Sequence, residues 1–142
     1  MATGLLLYSR STPCHLIGHL HRSHHPAKMA AETPALSVHV TITVDPAKTD
    51  DFLKALRPTY EAVVAEPKNT FFELYRNDKT PGVFVIVENW NADPDYMFNV
   101  QIKKDYYKPY HAALQDMLLK PIEHEIYSRM PGNEWSSVKQ DS

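Results

Sequence analysis

Val83-Phe84-Val85-Ile86-Val87-Glu88-Asn89-Trp90 is a run of five apolar residues that closes on a carboxylate and a tryptophan. Val83, Val85, Ile86 and Val87 are β-branched, and such side chains suit a pleated, buried surface. The run therefore reads as a strand covered on both faces. Asn91-Ala92-Asp93-Pro94 follows it, with Asp as a cap and Pro in the first turn of a helix. Glu88 and Trp90 thus stand at the rim of a sheet, where strand gives way to helix. A small pocket can form there, walled by the sheet on one side and a helix on the other.

Working outward, Asn77 to Gly82 is dense in turn-forming residues, and Thr70 to Arg76 before it reads as a second strand, giving a hairpin. Val38, Val40, Ile42 and Val44 alternate with His39, Thr41 and Thr43, the period of a strand beginning near Leu36 and stopped by Asp45-Pro46. A helix is expected from Thr49 or Asp50, either of which would cap it, to about Ala65. Its apolar stripe is Phe52, Leu53, Leu56, Tyr60, Val63 and Val64, and Pro58 within it is expected to kink or split it. A second helical region is expected from Asp93 to about Leu119, broken near Lys108-Pro109, before a last strand from Ile122 to Tyr127.

The order strand, helix, strand, strand, helix, strand is the α+β, ferredoxin-like pattern with an antiparallel sheet. Two helices cover one face of such a sheet. Val83, Val85 and Val87 make the other face of the third strand apolar as well, so a homodimer through the sheet faces is expected.

The 142 residues favour a single domain. With 15 basic and 17 acidic side chains the chain lacks the basic footprint of a nucleic-acid binder, and no apolar run is long enough to span a membrane. Cys14 is the one cysteine, which excludes an internal disulfide or a cysteine-based zinc site. Residues 1 to 31 hold Arg10, Arg22, Lys28, five of the eight histidines and no acid. Residues 1 to 35 are expected to be a disordered leader or extension, with Met29 as a possible true start, residues 36 to 128 the folded domain, and 129 to 142 a loose tail. A cytoplasmic location is expected; the alternatives are mitochondrial, if the leader acts as a presequence, and secretion by a non-standard route.

Among candidate site residues, His39 and His111 carry imidazoles, a side chain suited to a general base. His39 lies beside Thr41 on the first strand; His111 falls one helical turn from Tyr107. Glu88 becomes an acid–base group if it points inward, and otherwise a salt-bridge partner of Arg57 or Arg76. His124 is expected to pack in the dimer. Trp90 is either pocket wall or core. Tyr60, Tyr96, Tyr107, Thr41 and Phe98 are candidate substrate contacts. The histidines lack the spacing of a metal site, so no metal is expected.

Leu53 to Pro67, Phe72 to Asp78, Phe84 to Trp90 and the Tyr106-Tyr107-Lys108-Pro109-Tyr110 segment resemble the antibiotic biosynthesis monooxygenase domain over about residues 36 to 128, and the last is similar to fungal members. The resemblance implies a dimeric α+β barrel and oxidation of small aromatic or enolisable metabolites without a cofactor. Lys68 replaces a usual glycine in a turn. Trp90 and Tyr96 match the tryptophan and tyrosine of the anthrone-oxidising branch, but Ile86 stands where that branch has asparagine. Val100 and Gln101 stand where the haem-degrading branch expects its iron-binding histidine, which disfavours haem chemistry.

Neither a glycine-rich dinucleotide loop nor an iron-binding triad is evident, which leaves a route in which the substrate itself reduces oxygen. A base forms an enolate or phenolate, which transfers an electron to O2. The expected substrates are small hydrophobic molecules such as polyketide anthrones and quinols, or a jasmonate-like cyclic ketone. The alternatives are a non-catalytic binding or stress-response dimer, and a tautomerase or isomerase using the same pocket.

Overall fold

The structure is a computed structural model that describes residues 35 to 132 and 134 to 137. The leader reading, with the presequence it allowed, lies outside the described residues. The chain forms β1 (Leu36–Thr43), α1 (Thr49–Val64), β2 (Asn69–Arg76), β3 (Val83–Trp90), α2 (Pro94–Asn99), α3 (Tyr107–Leu114) and β4 (Glu123–Ser128). The four strands make one antiparallel sheet in the order β2-β3-β1-β4. This is the α+β, ferredoxin-like architecture.

Register fixes which side chains meet under the helices. Phe72, Glu88, Val38 and Ile126 form one cross-strand row. Leu74, Ile86, Val40 and His124 form the next. Because side chains alternate along a strand, His39, Thr41, Val85 and Val87 occupy the opposite face. The hairpin between β2 and β3 closes at Gly82, whose φ of +84° is open to glycine at little cost. A side chain there would also collide with the Val44 carbonyl oxygen.

The core divides in two. Ile42, Val44, Phe52, Leu56, Phe84, Ile86, Tyr110 and Leu114 pack together at one end. Leu36, Val38, Val63, Trp90, Ala92 and Met97 pack at the other. Val40 and Phe72 touch both groups while themselves only partly buried. The gap between the two clusters is where the site lies.

Three expectations need correction. Pro58 does not split α1, which runs unbroken from Thr49 to Val64. Pro58 is exposed, so water can reach the backbone carbonyl that its missing N–H leaves unpaired. Neither Thr49 nor Asp50 caps α1. The chain enters it through a 3-10 turn, Pro46–Lys48, capped by the Asp45 side chain on the Ala47 N–H at 2.9 Å. The second helical region breaks not at Lys108-Pro109 but at residues 104–106, between a 3-10 turn over Gln101–Lys103 and α3. Pro109 falls in the first turn of α3, where an N–H has no intrahelical partner to lose. Residues 129 to 132 and 134 to 137 carry no strand or helix, and Trp135 is 80% exposed.

Candidate active site

Between the two core clusters lies a pocket of about 290 Å³. Val38, Val40, Ile86 and Phe72 form its floor on the sheet. Leu56, Thr59 and Val63 of α1 form one wall, and Met97, Ile102, Tyr107, Tyr110 and His111 another. Ile122 and His124 close the side nearest β4. Its size is at the low end for ligand pockets, roughly 300 Å³ and upward, so it suits a small ring system.

Glu88 is the one carboxylate among these lining residues. Burial among apolar neighbours disfavours its charged form and pushes its pKa up from 4.5 to about 7. Trp90 lies two residues along the same strand and hence on the same face. Its indole Nε1–H donates to Glu88 Oε2 at 2.8 Å, which favours the carboxylate and holds the rise in check. The result is a carboxyl oriented by a buried donor and poised to change protonation near neutrality.

The phenols around the pocket are tied into a second network. Gln101, fully buried, donates from Nε2 to the hydroxyls of Tyr106 and Tyr107, the latter at 3.1 Å. Tyr96 donates to Gln101 Oε1 at 3.4 Å. Tyr106 in turn donates to Glu66 Oε1 at 3.1 Å, and Lys104 Nζ holds the same oxygen at 2.6 Å. Burial pushes the Tyr107 phenol up, and the nearby Glu88 charge pushes it further. Tyr110, also raised by burial and by Glu88, has a buried hydroxyl with no hydrogen-bond partner among the described residues. Such a group costs about 1–3 kcal/mol, which a polar ligand atom would offset. Burial and the neighbouring His111 lower the pKa of His124.

The structure brings Glu88, His111 and Tyr107 to one pocket and leaves the other predicted residues out of its lining. His39 and Thr41 are displaced by strand alternation to the opposite sheet face, where His39 Nε2 lies 3.1 Å from Ser37 Oγ and its ring 4.9 Å from that of Tyr127. Trp90 is fully buried core and meets the pocket only through Glu88. Tyr96 is spent on Gln101. Tyr60 packs edge-on against Phe72 and lines a separate cleft between α1 and β2 with Arg57 and Glu73. Phe98 is 52% exposed and lines a separate surface cleft that also touches Leu36 and Ile126. Glu88 forms no bridge to Arg57 or Arg76: Arg76 pairs with Asp78 at 2.9 Å, and Arg57 sits over the Tyr60 ring. Thr59 and the supporting Gln101 had no role in the sequence reading, Tyr110 was read only as part of an aromatic segment, and His124, expected to pack in the dimer, instead lines the pocket. The His124 position was readable, since it alternates with the outward Glu123 and Glu125. Among the described residues no group of three or more His, Cys, Asp or Glu side chains is arranged to hold a metal ion.

Residues 35–113, more than half of the chain, match the family model for antibiotic biosynthesis monooxygenases. A protein of Pestalotiopsis microspora named a putative monooxygenase is 65% identical over 111 residues, 78% of this chain and 92% of its own. Solved structures with the same fold include an antibiotic biosynthesis monooxygenase-type protein of Nitrosomonas europaea, with TM-score 0.60 and 23% identity, covering 67% of this chain and 98% of that one. Another, from Caulobacter crescentus CB15, has TM-score 0.61 and 24% identity, covering 69% and 92%. The chain belongs to the antibiotic biosynthesis monooxygenase family.

Proposed function

We propose that the protein is a cofactor-independent monooxygenase that oxidises a small hydrophobic aromatic or enolisable metabolite, such as an anthrone or quinol, with Glu88 as the base. The observation that carries this reading is a single carboxyl group with its pKa raised to about 7 on the wall of an otherwise largely apolar pocket. A base of that strength is half ionised near neutral pH and can take a proton from carbon or oxygen next to a conjugated ring. Family membership and the relative's name support oxidation as the reaction class.

The reaction balances without an external reductant. Glu88 removes one proton from a doubly activated CH2, leaving an enolate. The enolate gives one electron to O2, and the resulting radical pair combines into a C–O bond. Protonation of the distal oxygen by the Glu88 carboxylic acid yields a hydroperoxide, which loses water to leave the ketone. Both oxidising equivalents of the second oxygen atom end in that water. Apolar walls favour the step, because superoxide and a delocalised radical are held together away from bulk water. His111 stands on the same wall as Tyr107, and His124 lines the side nearest β4. The two chains of a sheet-to-sheet homodimer would carry one such pocket each.

Oxygen consumption by the purified protein with anthrones and quinols tests this. Product formed in air but not under argon is expected. Glu88→Gln should lower the rate by about 10²–10⁴, while His39→Ala leaves it within a few fold. Product under argon would instead mark an isomerase, and binding without product a carrier.

A further inference from the structure

The hydrogen bonds around Gln101 have only one consistent direction. Glu66 Oε1 is held by the Lys104 ammonium at 2.6 Å, so this carboxylate oxygen accepts and cannot donate. The Tyr106 hydroxyl 3.1 Å away must therefore give its one proton to Glu66. Its oxygen is then free only to accept, and the amide atom that faces it must be the nitrogen of Gln101. That nitrogen has a second hydrogen, which reaches the Tyr107 oxygen at 3.1 Å. The amide oxygen is left to take the proton of Tyr96. On the helix side, Tyr107 thus receives a proton from Gln101. With its oxygen accepting from Gln101, the Tyr107 hydroxyl has its proton left for the neighbouring Tyr106 oxygen or for a ligand in the pocket that Tyr107 and Glu88 both line.

We propose that Tyr107 is the catalytic hydrogen-bond donor to the substrate oxygen, and that Gln101 is the positioning residue that keeps its proton aimed into the pocket. The inference deepens the base-assisted reading above and rests on it. As Glu88 takes a proton from the substrate, negative charge gathers on the adjacent oxygen of the forming enolate or phenolate. A fixed donor at that oxygen stabilises the charge more in a dry site than water would. The substrate class narrows accordingly. The acidic hydrogen and an oxygen conjugated to it must both be present, as in a cyclic ketone with an activated methylene or in a hydroquinone. The Glu66–Lys104 pair sets the direction of these hydrogen bonds, although neither residue lines the pocket.

The test reads charge on a bound oxygen and needs no turnover. 4-Nitrophenol is bound to the full chain carrying Glu88→Gln, which removes the competing base, and its ionisation is followed by absorbance across pH. In this background the bound probe is expected to ionise more readily than free probe. Adding Tyr107→Phe should raise its apparent pKa by about one unit, a tenfold change in ionisation constant. Adding Gln101→Glu instead should do the same with Tyr107 still in place, since a carboxyl oxygen there draws the Tyr107 proton away from the pocket. Gln101→Met, of similar volume and without the amide, should give a smaller shift in the same direction. It serves in place of Gln101→Glu if thermal melting shows that variant unfolded. Equal probe ionisation with and without Tyr107→Phe, no change with either Gln101 variant, or failure of the probe to bind would overturn the inference. If the probe responds as expected while no quinol or anthrone consumes oxygen, the reading of the reaction fails and the donor assignment stands.

Discussion

Glu88 and Trp90 form the smallest unit with chemical meaning here. A carboxylic acid whose pKa is raised on folding keeps its proton in the native state after the unfolded chain has released it. Stability therefore falls as pH rises from about 4.5 to about 7 and is level on either side. The shift corresponds to up to roughly 3 kcal/mol. Thermal melting of Glu88→Gln should lack this slope, and above neutrality the variant should melt higher than the parent. Trp90→Phe deletes the N–H that favours the carboxylate, so the pH at which activity rises should move to the alkaline side, seen in a pH–rate profile. It also removes volume from a fully buried site and should cost about 1–3 kcal/mol. The position of both residues at the end of an apolar strand was legible. Their relation was also legible, because i and i+2 on a strand share a face. His39 fails by the same rule: its neighbours Val38 and Val40 point into the pocket, so it cannot. The Gln101 network was not legible. It joins Glu66, just past the end of α1, to side chains 30 to 41 positions later, through a bend whose position depends on tertiary packing.

Among the elements, the strands were readable almost to the residue. Alternation and turn chemistry are local signals, and the sheet follows both. The segment after Trp90 was harder, since one long helix and two short ones separated by a 3-10 turn share much the same apolar spacing. What separates them is that Gln101, a polar residue, is buried by its tyrosine partners. Pro58 also shows packing overriding a local rule. An interior proline costs a helix about 3 kcal/mol relative to alanine, part of which it returns by restricting the unfolded chain. Pro58→Ala is expected to stabilise the protein by about 1–2 kcal/mol, measured by urea denaturation, provided the outward position of this residue leaves the α1 packing unchanged.

For the molecule as a whole, the helices cover one face of the sheet, and Val83, Val85 and Val87 remain half-buried on the other. A second sheet laid on that face would complete their burial. Val85→Lys should convert a dimer to monomers in sedimentation, because two ammonium groups would meet in a desolvated interface, while the monomer keeps its strands by circular dichroism. The apolar pattern of β3 made this surface legible in the sequence. The way in to the pocket was not, because it depends on the burial of β4. All six residues of β4 are exposed, and the strand pairs with β1 along one edge alone. Yet His124, on that strand, forms part of the boundary of the site. The least anchored piece of the sheet therefore also bounds the pocket. A visitor could enter by loosening a handful of peripheral backbone bonds, with the two packed halves behind them left undisturbed.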